Sequence, residues 1–155
     1  MRTQRASSRL LWLVPALGVA ACSGQKGNDQ QAANAAPPAV PEAPAVVMAT
    51  RNNSGITGTA TLMPSGDSTM VMVALHGATP GQSYASHVHA GGCDQPGAML
   101  VPLTSVVAGA DSSGSSTTTV ATATLDSLSR QYGALLVQSH LSNGTPAACG
   151  ALPAR

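Results

Sequence analysis

Gln82-Ser83-Tyr84-Ala85-Ser86-His87-Val88-His89-Ala90, entered through Gly77-Ala78-Thr79-Pro80-Gly81 and broken by Gly91-Gly92, reads as a β-strand between two turns. Residues two apart on a strand point to the same face. The imidazoles of His87 and His89 therefore sit on one side, about 6–7 Å apart, close enough for both to hold one metal ion. A third imidazole, from His140, makes a three-nitrogen site with room for a small exogenous ligand, a composition suited to copper or zinc.

Outward from that strand, the pattern stays β. Residues 55–63 and 69–76 alternate small or β-branched with apolar side chains around the turn Pro64-Ser65-Gly66-Asp67, which predicts a hairpin. Residues 99–107 form a further β-rich run in which Pro102 predicts an edge or a bulge. A Gly/Ser turn at 111–116 leads into 117–125, where Thr alternates with Val, Ala and Leu. A short polar stretch, 126–131, allows one helical turn before a last strand over 132–140. No segment outside the N-terminal apolar run has the periodicity of a long helix. Short strands at regular spacing with Gly/Pro turns predict an all-β fold, a sandwich or a Greek-key barrel.

The front of the chain predicts where this domain works. Arg2, Arg5 and Arg9 precede an uncharged apolar run, 10–21, of about twelve residues where a membrane span needs about twenty. Residues 1–21 read as a signal peptide. Val19-Ala20-Ala21-Cys22 resembles the lipobox of bacterial lipoproteins, which implies a lipidated Cys22 as the mature N-terminus and a place in the cell envelope; an ordinary secretory signal is the plainer alternative. Ser23 favours the outer membrane if the cell is Gram-negative. Residues 22–45 are rich in Ala, Pro and Gln with almost no large apolar side chain, and read as a disordered tether. Residues 46–155 form the folded domain, about 110 residues, a single-domain size.

Cleavage removes three of the seven basic residues, leaving Lys26, Arg51, Arg130 and Arg155 against six acidic ones. The mature chain is weakly acidic and has no basic patch to neutralise phosphates, which excludes nucleic acid as a partner. No Gly-x-Ser-x-Gly elbow and no Gly-rich phosphate loop is present. Phe is absent and only Tyr84 and Tyr132 remain as aromatics, so small aliphatics and Met fill the core. Cys93 and Cys149 are the cysteines left beside Cys22. In an exported chain a disulfide is their default state, with free thiols or thiolate metal ligands as the competing readings.

In order and spacing, Gly77, Pro80-Gly81, His87-Val88-His89, Cys93, His140 and Ala148-Cys149-Gly150 resemble the landmarks of the copper/zinc superoxide dismutase family over residues 55–153. The resemblance implies a Greek-key sandwich or barrel, copper held by His87, His89 and His140, a disulfide from Cys93 to Cys149, and superoxide as substrate. It also exposes departures. No histidine lies between His89 and His140, so the bridging and zinc histidines of the family are missing, and zinc is not expected. Pro146 stands where the family places an arginine over the copper, and the loop from His140 to Cys149 is short and uncharged, so steering of a small anion is weak. The expectation is a lipid-anchored copper-binding protein of the dismutase-like fold with slow dismutation. The alternative is a non-catalytic module, holding copper or serving as a metal-free interaction domain of the chordin-type kind.

Alternation and turn chemistry single out two further residues. His76 shares a face with Met70 and Met72, a pattern open to a soft auxiliary copper site but more simply explained by gap-filling Met beside a solvated strand-end His. Asp94 is a candidate to accept a hydrogen bond from a ligand imidazole, with capping of an Asp94-Gln95-Pro96-Gly97 turn as the preferred reading.

Overall fold

A computed structural model describes residues 43–155. The stretches expected to be a signal peptide, a lipidated Cys22 and, up to residue 42, a tether lie outside the described residues. In chain order the elements are β1 (Ala45–Thr50), β2 (Thr57–Ser65), β3 (Ser68–His76), β4 (Ser83–Gly92), β5 (Gln95–Val107), β6 (Ser113–Ala121), α1 (Thr122–Tyr132), β7 (Leu135–His140) and β8 (Pro146–Ala151). The strands lie in the order β5-β4-β7-β8-β1-β2-β3-β6, and every pairing is antiparallel. Non-neighbouring connections from β3 to β4 and from β6 to β7 give it Greek-key character. Among the described residues no helix is long and apolar enough to cross a membrane.

Alternation builds the interior. Ala60 and Leu62 of β2 and Val71, Val73 and Leu75 of β3 point inward, and Gly66, at φ 57°, makes the tight turn between Ser65 and Ser68. β1 links the two halves: Ala45–Met48 pair with β2, whereas Ala49 and Thr50 pair with β8. The outermost strands, β5 and β6, are joined by side chains rather than by a ladder. The Thr104 N–H donates to Thr118 Oγ1 at 2.7 Å, and Ser116 Oγ donates to the Thr104 carbonyl at 2.7 Å. The sheet thus curls into a nearly closed barrel. Its core is aliphatic, with Met48 fully buried among Val and Leu, and the one buried aromatic, Tyr84, accepts the Thr79 N–H at 2.8 Å through its hydroxyl.

Four local expectations are corrected. Residues 122–132 form a helix, not the end of a strand and a single turn; Leu125 is fully buried and Leu128 packs on the core, a two-residue apolar stripe too thin to reveal its period among threonines. Gly133, at φ 73°, ends that helix, so β7 begins at Leu135 rather than at residue 132. Gly91 does not break β4: at φ 88° it bends the strand, which continues to Gly92. The turn that follows is Cys93-Asp94, between the paired Gly92 and Gln95, so Asp94 does not open a turn running to Gly97. Two strands without strong alternation, β1 and β8, add to those expected. Pairing with β2 already involves residues ahead of 46: Ala45 opens β1 and the Pro44 carbonyl accepts the Leu62 N–H at 3.2 Å.

Candidate metal centre

β4 and β7 are adjacent, and their register sets Ala85 opposite His140, His87 opposite Gln138 and His89 opposite Leu136. Directly opposed residues share a face. His87, His89 and His140 therefore project together from the outer side of the sheet, with ring centroids 5.4 to 5.9 Å apart. Each offers one ring nitrogen, and the three nitrogens lie within 4.8 Å of one another. Among the described residues this is the one cluster of His, Cys, Asp or Glu so arranged.

Hydrogen bonds orient two of the rings. His89 Nδ1 faces the Gly97 carbonyl at 3.2 Å and His140 Nδ1 faces the Gly144 carbonyl at 3.0 Å. A carbonyl only accepts, so both Nδ1 atoms carry the proton, and in the neutral ring the lone pair lies on Nε2. Those two Nε2 atoms are buried and have no hydrogen-bond partner. Burial pushes the His87 imidazole below its ordinary pKa, and the neighbouring His140 and His89 push it the same way. The neutral ring, the ligand form, is favoured. Backbone carbonyls on Nδ1 and open Nε2 atoms form the donor arrangement that metal-bound imidazoles require.

A third orphaned atom belongs to the same face. Gln138, 1 % exposed, leaves its Nε2 without a partner, and its register neighbours are His87 on one side and Cys149 on the other. Replacing Gln138 with leucine, a side chain of similar size, removes a buried unpaired donor; the metal-free variant should gain about 1 kcal/mol in urea unfolding. A loss of stability instead would show that the amide is paired. Gln138 carries no ligand signal of its own in the sequence, although its two-residue step to His140 repeats the step from His87 to His89.

Cys93 and Cys149 form a disulfide with Cα atoms 5.8 Å apart. β7 lies between β4 and β8, so the bridge carries the Cys93-Asp94 turn across the outer face of β7, where Leu136 and Gln138 are buried. Asp94 reaches no imidazole. Its Oδ1 accepts from Arg51 at 3.2 Å, while Arg51 Nη2 also donates to the Cys93 carbonyl at 2.7 Å. The role foreseen for Asp94 is filled by the carbonyls of Gly97 and Gly144, which a side-chain search in sequence cannot find. His76 Nδ1 sits 3.2 Å from Ser113 Oγ, on the outward face that also bears Met70 and Met72, and among the described residues it joins no group of three His, Cys, Asp or Glu side chains.

The three rings open into a cleft of about 340 Å³. Met99, Ser105 and Ser142 stand on its walls, and no Arg, Lys, Asp or Glu lines it. A larger cleft, about 520 Å³, lies among β2, α1 and the C-terminal residues, but its Arg155 and Asp126 already pair at 2.9 Å. No protein-family model matches the chain, and no curated protein matches it at a significant level. The geometry by itself makes this domain a nearly closed β-barrel with a disulfide and a three-histidine cluster able to coordinate a metal ion.

Proposed function

We propose that the protein is a copper-binding module of the superoxide dismutase-like type, carried in the bacterial cell envelope on a lipidated Cys22 and a tether over residues 22–45. The observation that carries this proposal is the pair of Nε2 lone pairs, each aimed by a backbone carbonyl on Nδ1, converging with His87 beside an open cleft. Imidazole donors with an accessible position suit copper, and the lack of a second ligating cluster among the described residues agrees with a single-metal site. When bound, copper supplies the one-electron chemistry that superoxide dismutation needs.

The chain's own residues support holding copper better than rapid turnover. Dismutation of two superoxide ions to dioxygen and hydrogen peroxide consumes two protons, and the cleft offers no carboxyl, lysine or arginine to gather the anion or pass a proton. Pro146, the residue standing where the resemblance calls for an arginine, pairs with His140 in the β7–β8 ladder. Superoxide, if consumed, is consumed far below the diffusion limit, with water as the proton source.

The test is direct. Purified protein loaded with cupric ion should bind one equivalent and give a paramagnetic resonance spectrum with coupling to several nitrogens. Intact mass of the same preparation reads the lipid on Cys22. No nitrogen-coupled copper signal removes the metal assignment, and a superoxide consumption rate near the encounter limit removes the copper-holding emphasis.

A further inference from the structure

Opposite His89 in the β4–β5 register stands Met99, a residue with no role so far. The pairing is irregular there. Val88 pairs with Val101, but His89 pairs with Met99, so Leu100 is the extra residue of a β-bulge. Without that extra residue the period of two would set Leu100 beside His89 and turn Met99 inward. With it, Leu100 and Val101 both pack against the core, and Met99 stands on the outer face, 58 % exposed, lining the cleft that holds the three histidines. The bulge thus re-aims one side chain toward the site, as bulges beside functional sites commonly do. In a domain that buries Met48 completely to fill a Phe-free core, the exposure of Met99 is not a packing device.

We propose that Met99 is a fourth donor to the metal centre, a thioether whose softness favours cuprous copper over zinc. Directly opposed β residues have Cβ atoms about 4.5–5.5 Å apart, and the unbranched, three-torsion Met side chain can swing its sulfur to the imidazole it faces. Thioether sulfur selects copper in its reduced state, whereas zinc is served by the imidazoles alone. The inference rests on the copper reading above and sharpens it: the site holds cuprous copper from the envelope, with Met99 setting the preference. His87, His89 and His140 remain the primary ligands, and Met99 tunes the metal chosen and its oxidation state.

The experiment compares the full chain with Met99→Leu, a swap of similar volume at an exposed edge position that leaves the core untouched, with thermal unfolding of both metal-free proteins as the folding check. Cuprous affinity is read anaerobically by competition with a chromophoric chelator, zinc affinity by a parallel competition, and the donor set by X-ray absorption of the cuprous forms. The expected result is a sulfur shell present in the native protein and absent from Met99→Leu. Cuprous affinity should fall about tenfold or more while zinc affinity is unchanged, and the copper potential should drop by about 59 mV for each tenfold of selective cuprous loss. A nitrogen-only shell in both proteins with equal cuprous affinities overturns the role of Met99 and leaves the histidine centre standing. Failure of both proteins to retain cuprous or cupric copper overturns the copper reading itself, and Met99's role with it.

Discussion

His89→Ala protein is expected to lose copper while keeping its fold. Its cupric affinity should fall by at least about a hundredfold, the upper end of what loss of a merely supporting hydrogen bond costs a metal site, and the nitrogen coupling in the copper spectrum should simplify. The metal-free stability should stay within about 1 kcal/mol of the native protein or rise, since a buried ring nitrogen without a partner is removed together with the ring. That combination separates a ligand from a structural histidine, whose loss would lower stability and leave copper binding intact. His140→Ala should behave in the same way, because its ring is held by the same device, a backbone carbonyl on Nδ1. The double variant should lose little more than either single one, as expected for groups that act as a unit. Copper competition and urea unfolding on the three proteins provide both readings. Unaltered affinity in either single variant would remove that residue from the centre.

Opening the disulfide, by Cys93→Ser with Cys149→Ala, should cost the fold far more than any histidine change. The bridge closes 56 residues of sequence separation, which in the chain-entropy model is worth about 4 kcal/mol, within the 2–5 kcal/mol lost when small exported domains lose a native bridge. The molecule gives a structural reason for a value in that range. Leu136, Gln138 and Cys149 are buried, yet Leu136, Gln138 and Cys149 lie outside the main hydrophobic cluster, on the face beneath the Cys93-Asp94 turn. Once the bridge is gone, only the Arg51 contacts to Cys93 and Asp94 tie that turn down from the β1 side. The same turn leads to Gly97, whose carbonyl orients His89, so copper affinity should fall about tenfold alongside stability. Urea unfolding with and without a reductant, followed by copper competition, measures both. Equal stability in the oxidised and bridge-free proteins would show that the turn is held by other contacts.

Much of this centre is legible in the sequence. His87-Val88-His89 on a strand already implies two rings on one face, because the period of two is a property of extended backbone and needs no partner. The β class is legible for the same reason in 55–63 and 69–76, where alternation and the Pro64-Ser65-Gly66-Asp67 turn agree. Helix α1 is not: its buried Leu125 and half-buried Leu128 are too few to show a 3.6-residue period, and what makes it a helix is the place it finds against the end of the barrel, where the Thr122 N–H donates to the Asp67 carbonyl at 2.9 Å. Strand β8, Pro146–Ala151, is built of small residues whose pairing with β7 and β1 assigns it.

By itself the sequence determined which chemistry the molecule carries: the imidazoles of His87, His89 and His140 and two cysteines in the domain, strands to display them, no basic surface, and a lipobox-like stretch ahead of it. Tertiary structure decided where that chemistry meets. Strand adjacency, which local periodicity does not encode, put His140 of β7 beside the pair on β4; two backbone carbonyls rather than Asp94 turned the rings; and one extra residue in β5 moved Met99 to the same face. Side-chain direction along a single strand is a local property of the backbone, whereas register, bulges and carbonyl partners are set only when distant strands pack, and the three-histidine cluster is assembled by those.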